Sequence, residues 1–196
     1  MADVLLFAED DAQERFVGTL VRRIARECEV PADLRVRSTH GGYGSVLKEL
    51  ARFTRACGQG SETMPDVVVV AVDANCRGIN ERREQVQHHA GQILRDRLVL
   101  AVADPHVERW FLVDGAAFRV VLGRGCDAPD QKCEKDRYKQ LLIRAVQGAG
   151  VEPLLGGIEY AEDLVEQMDL GRAAGADDAL GGFIEALQDK FNLMKR

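Results

Sequence analysis

Three acidic residues each directly follow an apolar segment that has the composition of a β-strand. They are Glu9, Asp73 and Asp104, and Glu108 lies one helical turn beyond Asp104. In an open parallel sheet, functional groups collect outside the carboxyl ends of the strands, near the point where the strand order reverses. We therefore expect these acids, which are far apart in the sequence, to converge at one edge of a sheet.

Carboxylates that are packed together repel one another and raise one another's pKa values unless a cation neutralises them. Oxygen ligands without a supporting cysteine or histidine cluster favour Mg²⁺, or Mn²⁺, over zinc. A metal held by Glu9, Asp73 and Glu108 would activate water or stabilise charge during phosphoryl transfer. The acids thus predict a divalent-metal site.

Structural roles compete with this interpretation. Asp104 precedes a proline and is typical of a helix N-cap, and Glu108 in a first helical turn is also favoured by the helix dipole. His106 is interpreted as a surface residue of the same turn. Glu9 and Asp73 follow buried strands without an obvious need for a cap, so the metal prediction depends mainly on them.

The elements that would position these acids alternate along the first 123 residues. Apolar runs indicate strands at 4–8, 66–72 and 98–103, and alternating apolar and polar residues indicate a strand at 34–39; each is followed by a segment with helical spacing of apolar side chains. The run at 66–72 is continuously apolar and β-branched, as a strand covered on both faces requires. Four successive βα units predict an α/β fold with a mostly parallel, Rossmann-like sheet and helices on both faces.

Helix boundaries are predicted from capping residues. Asp11 and Glu14 resemble a capping box that begins the first helix, and Asp104-Pro105 predicts an N-cap and a first helical residue. Beyond Gly123 no further strand is evident, and helices are predicted at 135–147, 160–168 and 177–194. We therefore divide the chain into an α/β domain, 1–123, and a helical C-terminal extension, 124–196, packed on it.

Composition excludes several classes of protein. The chain has 196 residues, of which 46% are hydrophobic and 30% charged, as in an ordinary globular protein. Its net charge of -6 argues against a basic phosphate-binding coat, so contact with nucleic acid must be local. Without a membrane-length apolar run or a signal peptide, a cytoplasmic protein is expected. Five cysteines without a CxxC pair predict reduced thiols.

The order of these motifs resembles the TOPRIM (topoisomerase-primase) fold. The chain presents a strand followed by Glu9, a strand followed by Asp73-Ala74-Asn75, and a strand followed by Asp-Pro-His-Val-Glu-Arg-Trp-Phe-Leu-Val-Asp at 104–114. The last stretch is similar to the P-x-x-E-x-W-x-x-x-D motif of small TOPRIM-like proteins found with ATPase partners in bacterial defence or mobile loci. The resemblance covers roughly residues 4–114.

The resemblance implies a Mg²⁺-dependent enzyme that cuts or joins nucleic-acid backbones. It places Glu9 and Asp73 at the metal, and Asn75 stands where the second aspartate of an Asp-x-Asp motif is usual. The catalytic and metal-ligating set is then Glu9, Asp73 and Glu108, with Asn75 as a further ligand through its carbonyl oxygen. Arg77 or Arg109 is expected to bind the substrate phosphate.

Two functions of different kinds follow from the sequence. The first is a nuclease-like enzyme acting on phosphodiester bonds of DNA or RNA, as the effector of a bacterial defence system. The alternative is a non-catalytic TOPRIM-like subunit that binds a partner ATPase or toxin through residues 177–194. A small-molecule phosphatase or nucleotide-binding enzyme of similar topology is a third hypothesis, and assembly into a homo-oligomer is compatible with all three.

Overall fold

The computed structural model describes residues 1–195. The strands are β1 (Ala2–Ala8), β2 (Ala32–Ser38), β3 (Val67–Asp73) and β4 (Leu98–Ala103). The α-helices are α1 (Asp11–Glu27), α2 (Tyr43–Gly58), α3 (Ile79–Leu94), α4 (Gly115–Leu122), α5 (Arg137–Gly148), α6 (Ala161–Gln167), α7 (Leu170–Ala176) and α8 (Asp178–Met194). Short 3₁₀ helices span Arg95–Arg97, Val107–Leu112 and Ile158–Tyr160.

The four strands form one parallel sheet in the order β2-β1-β3-β4. This confirms the predicted α/β class and the Rossmann-like arrangement of strands and helices. After β1 the chain adds β2 on one side and then crosses to place β3 on the other side. The strand order therefore reverses between β1 and β3, whose carboxyl ends lie side by side with Ala8 opposite Ala71.

Alternate residues of the strands face two separate apolar layers. On one face, Leu5 and Phe7 of β1 and the even-numbered valines of β3 pack against α2 and α3. On the opposite face, Val4 and Leu6 pack with α1 and with helices that follow Gly123. Helix α8 lies against β4, and α6 lies against α1. The C-terminal helices thus complete the layer that α1 alone leaves open, within one core shared with the sheet.

The helix boundaries differ from the predicted ones in three places. Asp10, not Asp11, caps α1, because its side chain accepts a hydrogen bond from the Gln13 N–H. The Asp104-Pro105 peptide bond is cis, and the helix after it begins only at Val107, as a 3₁₀ helix. A separate helix, α7, precedes α8, and Asp177 between them caps the second through the Leu180 N–H.

Two of the five cysteines form a disulfide, so the prediction of reduced thiols is wrong for them. Cys76 lies in the loop after β3, and Cys133 lies in the irregular segment before α5. The two residues are 57 positions apart, and their Cα atoms are 5.4 Å apart. Only the fold brings these loops together, so no spacing in the sequence could indicate the pair.

Among the described helices, none is long and apolar enough to cross a membrane.

Candidate carboxylate site

Glu9 and Asp73 meet at the point where the strand order reverses. Asp73 is the last residue of β3, and Glu9 directly follows β1. The Asp73 N–H donates to Glu9 Oε2 over 3.3 Å. The predicted convergence of these two acids therefore follows from the adjacency of β1 and β3, which places both strand ends at one crevice.

The Asp73 carboxylate is buried, with 8% of the residue exposed, and three groups approach it. Oδ1 accepts hydrogen bonds of 3.0 Å from Gln13 Nε2 and from the Val107 N–H, and His106 Nδ1 lies 3.0 Å from Oδ2. A carboxylate offers about four lone-pair sites, so roughly one remains for a further partner. Asp73 thereby joins α1, β3 and the 3₁₀ helix that carries Glu108.

Gln13 organises the other side of this crevice, although its role was not predicted. Its backbone N–H is capped by Asp10, and its Oε1 accepts a 2.9 Å hydrogen bond from the Glu9 N–H. Its Nε2 donates to Asp73, so one side chain fixes the positions of both acids. The Asp10-x-x-Gln13 spacing of a cap followed by glutamine was the available signal.

Glu108 is positioned by the neighbouring residues of its own motif. The Trp110 side chain is fully buried and packs near Phe16 of α1 and Phe183 of α8, with ring centroids 6.0 and 6.4 Å away. Asp114 caps α4 by accepting from the N–H groups of Ala116 and Ala117. Because these two anchors fix the 3₁₀ helix on both sides, the partly buried Glu108 projects at a defined place.

The pKa values of all three carboxyl groups are raised above their ordinary values. Burial is the main cause for each, and the charge of Asp73 adds to it for Glu108, whose pKa rises to about 7. His106 works in the opposite direction on Asp73, and the same contact raises the pKa of His106. The site therefore concentrates negative charge that the surrounding protein compensates only in part.

Glu9 and Glu108 open into a common cleft of about 330 Å³. Asp10, Asp11, His40, Lys139 and Leu155 also line it. Lys139, from α5, brings a positive charge to a cleft that four acids also line. The cleft thus combines carboxylates that suit a hard cation with one lysine that suits an anionic group.

Two predicted site residues, Asn75 and Arg109, lie differently from what was expected, and a third, Arg77, remains available for its expected role. Asn75 is exposed, and no hydrogen bond among residues 1–195 joins its side chain to the acids. Arg109 is buried in an ion pair with Asp177 and also donates to the Ala176 carbonyl oxygen. It therefore stabilises the packing of α8, and we do not assign it to substrate. Arg77 is exposed beside Glu81 and remains accessible to solvent.

A different group of side chains has the tightest ligand geometry. Asp11, Glu14 and His40 each place one ligand atom within 4.8 Å of the other two, and this is the only such group of His, Cys, Asp or Glu found within residues 1–195. Asp11 and His40 are more than half exposed. Glu9, Asp73 and Glu108 do not form such a group in their present rotamers, so shared coordination requires side-chain rotation in the cleft.

Comparisons with protein-family models, curated proteins and solved structures give no significant match. The interpretation of the site therefore depends on its chemistry. Two glutamates at one cleft and a remaining lone pair on Asp73 are oxygen donors of the kind that Mg²⁺ and Mn²⁺ prefer. The donor set fits a hard divalent cation.

Proposed function

We propose that this chain is a divalent-metal-dependent enzyme that hydrolyses phosphodiester bonds. The observation that supports it is the contact of Glu9 with Asp73 at the β1/β3 crevice, with Glu108 lining the same cleft as Glu9; all three carboxyl groups have raised pKa values, and none has an arginine partner among residues 1–195. Glu9 and Glu108 would hold Mg²⁺ or Mn²⁺ directly, and Asp73 would contribute its remaining lone pair. The TOPRIM resemblance of residues 4–114 points to the same reaction.

A bound divalent cation supplies Lewis acidity at a phosphoryl oxygen and promotes deprotonation of water. The chain's own residues contribute position and charge. Gln13 and His106 hold the Asp73 carboxylate in one orientation, and Trp110 fixes the helix that presents Glu108. Lys139 at the cleft and Arg77 on the nearby loop would bind the phosphate.

The substrate class that fits these groups is DNA or RNA. A net charge of -6 limits contact with the polymer to a few phosphates near the cleft, so binding should depend only weakly on salt concentration. We place the activity in the cytoplasm, as the effector of a bacterial defence system, in keeping with the family that residues 104–114 resemble. Asn75 has no part in the proposed first ligand set.

The proposal is tested by Mn²⁺ titration calorimetry and by cleavage of labelled DNA and RNA in the wild type, Glu9→Gln and Glu108→Gln. Both variants should lose Mn²⁺ binding and Mn²⁺-dependent cleavage, because each removes one charged ligand. Glu14→Gln is the matched control and should behave like the wild type. Loss of Mn²⁺ binding in Glu14→Gln, with retention in the other two, would move the metal to the Asp11, Glu14 and His40 group and contradict the proposal.

A non-catalytic subunit is the second candidate, and one observation favours it. Asp73 already has three protein partners, as an acid with a purely structural role would have. The predicted docking helix is less suitable, because α8 buries Phe183, Leu187 and Phe191 in the core and leaves mainly its end, at Leu193, exposed. A wild-type protein that binds neither Mg²⁺ nor Mn²⁺ at millimolar concentration would favour this candidate over the enzyme.

A further inference from the structure

We propose that the Cys76–Cys133 disulfide is a redox-reversible clamp that fixes the loop after Asp73 against the segment 125–136. Its reduction would release that segment from the edge of the carboxylate site. Both cysteines are exposed, whereas Cys28 is buried and Cys57 and Cys126 are partly buried. The proposal depends on the proposed function only where it links the clamp to metal binding.

The first end of the clamp lies three residues after Asp73. Asn75 and Cys76 adopt φ angles of 46° and 65°, in the left-handed region that residues other than glycine seldom occupy. Such a backbone persists where its surroundings determine it. The Asn75 N–H donates to the Pro105 carbonyl oxygen over 3.1 Å, and the disulfide holds the next residue. Breaking the disulfide removes one of the restraints on this loop.

The second end lies in a segment without helix or strand. Outside the disulfide, three side chains hold it: Gln131 Nε2 donates to Asp104 Oδ2 over 2.8 Å, the Tyr138 hydroxyl accepts from the Lys132 N–H over 2.7 Å, and Arg137 pairs with Asp130. The Tyr138 ring centroid is 6.3 Å from that of His106, which contacts Asp73. The segment therefore borders the same residues that support the carboxylate site.

The exposure of both cysteines allows a dithiol reductant to reach the bond. A thiolate of the reductant attacks one sulfur, the other sulfur leaves as a thiolate and is protonated, and the second thiol of the reductant resolves the mixed disulfide. The protein gains two electrons and two protons, and the reductant becomes a disulfide. In reducing compartments, accessible disulfides of this kind are usually transient or redox-sensing.

In the oxidised protein, the loop after β3 is fixed next to the Asp73 N–H that contacts Glu9. In the reduced protein, residues 75–76 can relax and the segment 125–136 loses its covalent attachment. We expect a weaker divalent-metal affinity, by on the order of tenfold, since groups that orient metal ligands have effects of that size. The clamp would then make the site more active under oxidising conditions.

The test equilibrates the full chain in buffers of defined dithiothreitol ratio, oxidised to reduced, followed by alkylation, mass spectrometry and limited proteolysis. Cys76 and Cys133 should become alkylated together in one two-electron transition, while cleavage within 125–136 accelerates at least tenfold. The double variant Cys76→Ser/Cys133→Ser should be cleaved at the fast rate in every buffer. Cys57→Ser is the matched control and should retain the transition.

Alkylation of both cysteines in all buffers would overturn the proposal, as would equal proteolysis of the oxidised and reduced wild type. Mn²⁺ titrations in the same buffers test the link to the site, and equal affinity in both states would overturn that link. If the proposed function fails, Mn²⁺ binding is absent in both states while the alkylation and proteolysis results still decide the clamp. The two failures are therefore distinguishable.

Discussion

Buried acids occur in two regions of this molecule that differ in how their charge is compensated. Asp114 and Asp177, which we call the balanced acids, each face an arginine, Arg172 and Arg109 respectively. Asp73 behind Glu9, and Glu108 at the cleft, the unbalanced acids, have no arginine partner among the described residues. Asp114 and Asp73 are both largely buried, yet the pKa of Asp114 is lowered and that of Asp73 is raised.

The difference shows that burial alone does not decide the role of a carboxylate. Both groups lose hydration, which raises the pKa. Asp114 more than recovers the lost free energy from Arg172 and from the N–H groups of Ala117 and Asp169, so it remains charged and stabilises the fold. Asp73 obtains less from His106 and lies near Glu9, so it keeps a tendency to bind a proton or a cation. This tendency is what a metal site requires.

The largest effect is expected from breaking a balanced pair. Arg109→Ala leaves Asp177 buried without its counter-charge, and we expect the free energy of unfolding to fall by about 3–5 kcal/mol. Urea denaturation with an unchanged m-value measures it. Arg172→Ala is the comparison: Arg172 is 52% exposed, and Asp114 keeps the N–H donors of Ala116, Ala117 and Asp169, so this loss should cost only about 1 kcal/mol. Similar losses of unfolding free energy in both variants would contradict the idea that the buried Arg109 contributes more than the half-exposed Arg172.

The second effect concerns the unbalanced Glu108 in the presence of a chelator. Its pKa is about 7 in the folded chain against an ordinary 4.5, so the folded state binds more protons between these values. The free energy of unfolding should therefore decrease as the pH rises from about 4.5 to about 7, by roughly 3 kcal/mol. Glu108→Gln should remove the largest part of this slope and leave the part due to Glu9 and Asp73, whose pKa values are also raised. If the free energy of unfolding of Glu108→Gln depended on pH as that of the wild type does, a group other than Glu108 would cause the pH dependence.

The third effect is the opposite pH dependence of a balanced acid. Asp114→Asn should cost about 2 kcal/mol at pH 7, because a charged cap and its arginine partner are lost. The pKa of Asp114 is lowered below 3.8 in the folded chain, so its contribution is present above that value and disappears as the pH falls through the folded pKa. Denaturation curves of both proteins should converge in acid, and a constant difference down to pH 2 would disagree.

A smaller effect is expected from adding the cation. Mn²⁺ at ten times its dissociation constant should raise the free energy of unfolding by about 1.4 kcal/mol and the melting temperature by about 4 °C. Asp114→Asn should respond as the wild type does, since its change lies among the balanced acids. Glu9→Gln and Glu108→Gln should not respond. A melting temperature that increases equally in all four proteins would indicate binding away from the cleft.

The smallest effect is expected at Asp73 itself. Asp73→Asn removes a poorly compensated charge and weakens the bonds from Gln13, Val107 and His106, so the two changes nearly cancel. We expect the free energy of unfolding to change by less than about 1 kcal/mol, in contrast to Asp114→Asn. A loss as large as that of Asp114→Asn would show that Asp73 is a balanced acid and that His106 is its effective counter-charge.

Most of the fold could be predicted from the sequence, because the local patterns of apolar residues match the strands and helices that form the sheet and its layers. The continuously apolar strand β3 was predicted within one residue at each end and is buried along its whole length. The residues at which two helices begin were harder to predict from the sequence. The helix that Asp104 was expected to cap begins only at Val107, and Asp10, not Asp11, caps α1 by accepting a hydrogen bond from the Gln13 N–H.

The site was only partly predictable for a related reason. Glu9 and Asp73 follow neighbouring strands, and the rule for open parallel sheets places such residues together. Gln13 and His106 contact Asp73 through side-chain directions that no spacing specifies. Arg109, two residues before Phe111 in the same motif, turns to Asp177 near the other end of the chain. Its sequence context gave no indication of that partner.

The sequence by itself determined which residues form the strands and that three of the four strands, β1, β3 and β4, each deliver an acid to the carboxyl edge of the sheet. Periodicity and capping are local properties, so they can be recognised one segment at a time. Only the tertiary structure decided which acids are balanced by arginine, which are not, and which two cysteines are joined. Charge compensation and covalent pairing depend on distances between remote segments, and those distances exist only once the sheet and its C-terminal helices have packed.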